Sequence, residues 1–428
     1  MTVRDCTSVK EFWQLKKEIR GSEKHLIVGI DVAKDEHKAF FGTAYGKTLL
    51  KRLIFKNDIE GFENLLSRVK ALKVKHSLKE VVFGLEPTAN YHKPLGDFLI
   101  KCGHMVVLVS GVSVKRNREL LDGRWDKNDT KDSANVGDLI SQGKCLYYEY
   151  TPVLFRELRS LLSLKRRLKK QEHGLRVRLR NNLLAQYFPE LDRYYGQWEK
   201  EILSVVRWCL DPSVIAGLEY DQFVNLIAPG SKNIRQQGRF EWIWKKAVDS
   251  IGCDVGEGVE FEAKVMVEEL RHIREVIEET NAKIKDICMR FPEYKYLLSI
   301  PGFGPDISSK VLAYIGNPFR FNNQNQVLKM AGMDLNAQRS GKSSETAVPV
   351  ISKKGNAHLR YALYQAAFVA SVRNKYFIVY YTNKLMGREK EKGIKTKMRV
   401  KLAAKMLVIG WSLMKKKEPF DPAYLRID

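Results

Sequence analysis

Four carboxylates stand at the ends of patterned segments in this chain. Asp31 follows the apolar run LIVGI, and Glu86 follows VVFGL. A buried strand that ends in an acid brings that acid to the rim of a sheet, and two adjacent strand ends bring two acids together. Asp129 and Asp132 precede Ala134, Val136, Leu139 and Ile140, whose spacing is helical, and residues three apart share a helix face. Taken singly, each acid serves as a cap or turn residue as readily as a ligand. Taken together, carboxylates at close quarters repel one another unless divalent cations supply compensating charge. Oxygen-only ligands suit Mg²⁺ or Mn²⁺, and a pair of such ions activates the attacking group and stabilises the leaving oxygen of a phosphodiester. The expected chemistry is phosphoryl transfer on nucleic acid.

A hydroxyl candidate lies in the last third, where AGMDLNAQRSGKSS is followed by ISKKGNAHLR. By itself the serine of a Ser-Gly-Lys loop is most simply a solvated turn residue. A serine becomes a useful nucleophile only when its proton is lost or its oxygen is drawn toward a metal. No histidine lies near Ser340, Ser343 or Ser344 in sequence, so such help to any of them would come from the carboxylate-bound metal.

These groups need scaffolding, and 428 residues suffice for two to four domains, each with its own core. Hydrophobic residues at 44% and aromatics at 10% exclude wholesale disorder. The formal charge of +24 calls for a polyanionic partner, nucleic acid first. No apolar run approaches the roughly 18 residues of a spanning helix, and MTVRDCTSVKEFWQLKKEIR lacks the apolar core of a signal peptide. A cytoplasmic, nucleoid-associated protein without membrane contact is expected. The cysteines are never closer than Cys253 and Cys288, so no zinc-type pair exists.

Short β-branched runs at 25–30, 38–42, 80–85 and 105–109 alternate with helical spacing at 61–72 and 91–101, which predicts an α/β domain over 25–150 after an N-terminal tail, 1–24. Beyond it, Leu161, Leu164, Leu168, Leu175 and Leu179 lie on or near one helix face. Met266, Leu270, Ile273, Ile277, Thr280, Ile284 and Ile287 alternate four and three apart, the signature of a coiled-coil seam. A coiled-coil region over 151–290 is therefore expected, interrupted at about 192–257 by a helical insert carrying Trp198, Trp208, Trp242 and Trp244. Residues 156–180 hold ten Lys or Arg against two acids, and Lys165, Arg166, Arg167, Lys169 and Lys170 are the candidate phosphate contacts. The final region, 291–428, is expected to be mainly helical. In it, Pro301-Gly-Phe-Gly304 before a helix resembles a helix-hairpin-helix turn, with the backbone at Gly302 and Gly304 open to a phosphate. Lys342, Lys353, Lys354 and Arg360 complete the expected nucleic-acid contacts.

The segments GIDVAKDEHKAFF, FGLEPTANYHKPL and KNDTKDSANVGDLI resemble, in order and spacing, the RuvC-like ribonuclease H-fold domain of the DEDD transposases of bacterial insertion sequences, relatives of the Piv and MooV invertases. The resemblance implies that Asp31, Glu86, Asp129 and Asp132 bind Mg²⁺ and that Ser340, in a C-terminal transposase domain, joins DNA covalently. It further implies guidance by a structured non-coding (bridge) RNA of the element, action on element ends and a target site, and assembly as a homodimer or homotetramer. The main alternative is a metal-dependent, RuvC-like junction or structure-specific endonuclease in which water attacks. A non-catalytic scaffold would explain the charge but not four acids in a nuclease-like order.

Overall fold

A strand that is apolar on both faces must be covered on both, and HLIVGID is such a strand: in β1 (His25–Asp31) residues 26–30 are all buried. The computed structural model describes residues 9–122, 129–148, 150–230, 233–336 and 350–425. Around β1 a sheet forms in the order β3-β2-β1-β4-β5-β6, with β2 (Glu36–Thr43), β3 (Thr48–Lys56), β4 (Glu80–Leu85), β5 (Met105–Leu108) and β6 (Leu146–Tyr147). β1, β4 and β5 run parallel, while β2, β3 and β6 are antiparallel to the strands they join. Alternation along β1 sends Leu26, Val28 and Ile30 into one core with Phe62, Leu65, Leu95 and Leu99. Ile27 enters the other, with Val82, Val107, Val136, Leu139 and Ile140. The helices here are α1 (Val9–Ile19), α2 (Ile59–Lys75), α3 (His92–Lys101), α4 (Gly111–Asp122) and α5 (Asp129–Ser141). The N-terminal stretch expected as a tail thus contains a helix, and Phe12 and Ile19 of α1 join the second core.

Helix α5 sits on the sheet in a trough of glycines. A Cβ at Gly29 would overlap the Ser133 carbonyl and the Gly137 amide, one at Gly84 would overlap the Ile140 side chain, and one at Gly137 would lie 2.9 Å from the Phe40 ring. Backbone therefore rests nearly on backbone, which no larger residue permits. Gly29→Val is expected to destabilise the fold by about 2 kcal/mol or more, because α5 must lift off the sheet. Chemical denaturation measures this, and an unchanged midpoint would show that the helix is not seated as described.

The chain forms two compact units, one of residues 1–152 and 317–357, the other of 153–316 and 358–428. The second opens with α6 (Val153–Arg178), then the short α7 (Ala185–Tyr187) and α8 (Pro189–Asp192), α9 (Tyr195–Trp208), α10 (Pro212–Ala216), α11 (Tyr220–Ile227), α12 (Ile234–Val248), α13 (Glu257–Met289), α14 (Glu293–Leu298) and α15 (Pro305–Ile315). α6 and α13 pair antiparallel: Phe155 stacks on Phe291 at 4.5 Å near one end, and Arg274 donates to Glu172 at 3.1 Å farther along. Of the heptad positions on α13, Met266, Leu270, Ile277, Thr280, Ile284 and Ile287 are buried. Residues 192–257 fold as helices around Tyr195, Ile202, Val205, Phe223, Phe240 and Ile243, against which the tryptophans pack half-buried.

The chain then adds α16 (Gln324–Ala331) and the ribbon of β7 (Leu335–Asn336) and β8 (Val350–Ile351) to the first unit. Helices α17 (Ala357–Arg373), α18 (Lys375–Leu385) and α19 (Ile394–Lys416) follow in the second unit from His358 onward. Among the described residues no helix is long and apolar enough to cross a membrane.

Candidate active site at the sheet rim

The register of β1 and β4 pairs Ile30 with Leu85, so the next residues, Asp31 and Glu86, stand side by side at the C-terminal rim of two parallel strands. The Glu86 amide donates to the Ile30 carbonyl at 3.3 Å, extending the ladder to the rim. Both acids are half-buried. Glu86 reaches toward α4: a Cβ on Gly111, its first residue, would lie 2.7 Å from Glu86 Oε1. Gly111 thus leaves room for the carboxylate.

The glycine trough sets the direction of α5. Ser133 lies over Gly29, and Gly137 lies over Gly29 and beside Ile27, so the first turn of the helix points toward the rim that carries Asp31. Asp132 is buried there, at 3% exposure, and its carboxylate is paired with the Arg118 guanidinium of α4. Asp129 is the first residue of α5, and its side chain lies outside the described residues. Asn117 donates to Asp138 at 2.8 Å and to Asn135 at 3.3 Å, and Gln142 donates to Asp138 at 2.7 Å. This polar network ties α4 to α5. Arg118 and Asn117 are site residues that sequence spacing did not reveal. Among the described residues, no three His, Cys, Asp or Glu side chains converge on a point where a metal would sit.

Ser340, Ser343, Ser344 and Lys342 lie outside the described residues, between β7 and β8. The flanking stem is well tied. Leu335 pairs with Ile351 and Asn336 with Val350; the Ser352 amide donates to the Asp334 carbonyl at 2.8 Å, and its hydroxyl binds the Asp334 carboxylate. Lys353 adopts φ +56°, and its amide donates to the Gly332 carbonyl at 3.0 Å. Lys354 is exposed and Arg360 half-buried.

The cations of α6 divide by partner. Lys165 and Lys310 both hold Asp306, each at 2.6 Å. Burial pushes the Asp306 carboxyl up, but the hydrogen bonds from Lys165 and Lys310 outweigh it and hold it below the usual range. Arg166 contacts the His358 ring, whose pKa is lowered by burial and then by the Arg166 and Lys310 charges. Lys169 pairs with Glu172 at 2.9 Å, while Arg167 and Lys170 are exposed. At the turn before α15, Gly302 has φ +89°, and a Cβ there would lie 2.7 Å from the Ala366 carbonyl, so this glycine is required by packing on α17. Gly304 caps α15 in extended conformation, with open space where a Cβ would be.

Residues 28–189 match the profile of the DEDD transposases of the IS110 group, and residues 294–382 match that of the transposases of the IS116/IS110/IS902 family. The chain belongs to the IS110 family of DEDD transposases. A relative, the uncharacterized 44.8 kDa protein of insertion element IS116 from Streptomyces clavuligerus, is 23% identical over 413 residues, covering 92% of this transposase and 96% of its own length. The transposase is accordingly an enzyme that acts on DNA. The first profile spans Asp31, Glu86, Asp129, Asp132 and all of α6; the second spans the turn before α15 and the serine segment.

Proposed function

We propose that this transposase cuts and rejoins DNA through a serine nucleophile, Ser340, working with Mg²⁺ or Mn²⁺ at Asp31, Glu86, Asp129 and Asp132. The observation that carries the reading is the placement of Asp31 and Glu86 at neighbouring parallel strand ends, with the first turn of α5 directed to the same rim. Hard carboxylate oxygens at such a rim suit a divalent cation, which when bound supplies Lewis acidity to the scissile phosphodiester. Asp31 and Glu86 bring two such carboxylates to that rim. Asp132 joins them on exchanging Arg118 for the cation, which leaves the guanidinium available to a phosphate oxygen. The sheet order, an antiparallel meander followed by parallel strands, supports the RuvC-like ribonuclease H reading of residues 25–150. The stem that carries the serine segment belongs to the same compact unit as the acids.

The antiparallel pair of α6 and α13 within one chain supports the coiled-coil reading of 151–290; dimer or tetramer assembly belongs to this reading, and 291–428 is the transposase region. The excess of cations supports a structured guide RNA beside the DNA. Incubating the protein with DNA carrying the element ends, Mg²⁺ and co-purified RNA should yield a protein-DNA adduct that survives denaturation. Cleavage without an adduct would assign the attack to water.

Exposed cations of α6 are expected to meet phosphate. Replacing Arg166, Arg167, Lys169 and Lys170 with Gln leaves the leucine seam intact and spares Lys165, which Asp306 holds. Loss of about three phosphate contacts flattens the slope of log K against log salt by roughly 2 to 3 units. An unchanged slope would place the polyanion elsewhere.

A further inference from the structure

Helix α17 carries apolar residues on opposite faces. Leu359, Ala362, Leu363, Ala366 and Ala370 are buried, and the Gly302 turn packs against the Ala366 and Ala370 side. On the opposite side Tyr361 is 63% exposed, Phe368 48% and Val372 58%. Gln365 lies between them and donates to the Tyr361 hydroxyl at 3.0 Å. These four positions repeat at helical spacing, so the rings form one solvent-facing stripe. An exposed stripe that carries two rings marks an interaction surface.

Charge identifies the occupant. α17, α18 and α19 together contain eleven Lys or Arg and no Asp or Glu. The stripe runs into this charge at Arg399, whose guanidinium lies 4.5 Å from the Phe368 ring centroid and 5.6 Å from that of Tyr381. The Tyr381 hydroxyl donates to the Lys395 carbonyl at 3.3 Å, which ties α18 to the start of α19. Arg399 Nε is buried and, among the described residues, has no hydrogen-bond acceptor. A guanidinium held by rings, with no salt-bridged carboxylate among the described residues, is arranged for phosphate and base contact. A second copy of the same face would bring like charges together, which disfavours self-association here. Paired bases hide their faces in the duplex stack, so exposed rings select a strand whose bases are free.

We propose that the α17–α19 face binds unpaired DNA, with bases stacked on Tyr361 and Phe368 and phosphates met by Arg399 and Lys395. DNA is the polymer this enzyme acts on, and cutting and rejoining it exposes unpaired strand. The proposal rests on that reading only for the origin of the strand. Binding is measured without divalent metal, so failure of the cleavage chemistry and failure of this site give separate results.

The test titrates the full chain into labelled oligo-dT of about 20 nucleotides, a duplex of equal length and oligo-rU. Wild type should bind oligo-dT more tightly than the duplex at high salt, where stacking persists and phosphate attraction fades. Phe368→Leu keeps an apolar side chain but removes the ring, and Tyr361→Ala alters a residue that does not carry Arg399. Each should weaken oligo-dT binding roughly 5- to 100-fold with the salt slope unchanged. Arg399→Gln with Lys395→Gln should weaken binding and flatten the slope by about 1 to 2 units. Thermal melting confirms folding, and Tyr361→Ala alone decides the matter if Phe368→Leu melts early. Wild-type affinity in the ring variants overturns the proposal. So does binding confined to oligo-rU, which would make the strand RNA, or a change of molecular mass by light scattering, which would make the face a protein interface.

Discussion

Asp31→Asn or Glu86→Gln is expected to lower metal-dependent DNA cleavage at least about a hundredfold while leaving the melting temperature nearly unchanged. Each substitution keeps the side chain's shape and removes one charge from the rim. A ligand charge that stabilises the transition state by several kcal/mol costs roughly 100- to 1000-fold when lost. Both side chains are half-buried at the sheet edge rather than part of either core, so folding should survive. Asp132→Asn is expected to differ. Its carboxylate is buried against Arg118, and breaking a buried pair strands the guanidinium, at a cost on the order of 3 kcal/mol. Activity and stability should therefore fall together for Asp132 and separate for Asp31 and Glu86. Full cleavage by Asp31→Asn and Glu86→Gln proteins would remove both acids from the site, whatever the behaviour of Asp132.

The part of this site that sequence could reveal is the part built from local pattern. The runs before Asp31 and Glu86 are apolar on both faces because parallel strands are covered on both sides, and such runs read directly as strands. β3 escaped because it is an edge strand with Lys51 and Arg52 exposed along it, so it shows no clean alternation. β6 is only two residues long. Helix α4 is dominated by polar residues, and Arg118 and Asn117 acquire their roles only across 14 to 21 residues of sequence, through contacts with α5. Nothing local marks such partners. Gly29 and Gly84 did carry a readable signal, since a glycine inside an apolar strand indicates close approach of another backbone. Lys165 shows the converse: composition makes it one cation among ten, and only tertiary structure commits it to Asp306.

Ser340→Ala is expected to abolish the covalent protein-DNA adduct, by roughly a thousandfold or more, with DNA affinity retained. In the proposed step the serine Oγ–P bond forms as one P–O bond of the DNA backbone breaks, and the released sugar oxygen takes up a proton. Attack by another sugar hydroxyl reverses the exchange, so one phosphodiester is traded for another without an external energy source. Alanine removes the only atom that can form the bond and leaves the rest of the residue. Ser343→Ala and Ser344→Ala alter the same segment and should keep the adduct. Ser352→Ala provides the structural contrast. Its hydroxyl holds Asp334 at the stem below the segment, so its loss should slow adduct formation by loosening the stem, and Ser352→Thr should restore part of the rate. Denaturing gels of labelled DNA, followed by mapping of the modified serine, separate these outcomes. An adduct on Ser343 or Ser344 in the wild-type protein would move the nucleophile within the segment. An adduct in the protein lacking Ser340, Ser343 and Ser344 together would place the nucleophile outside it altogether.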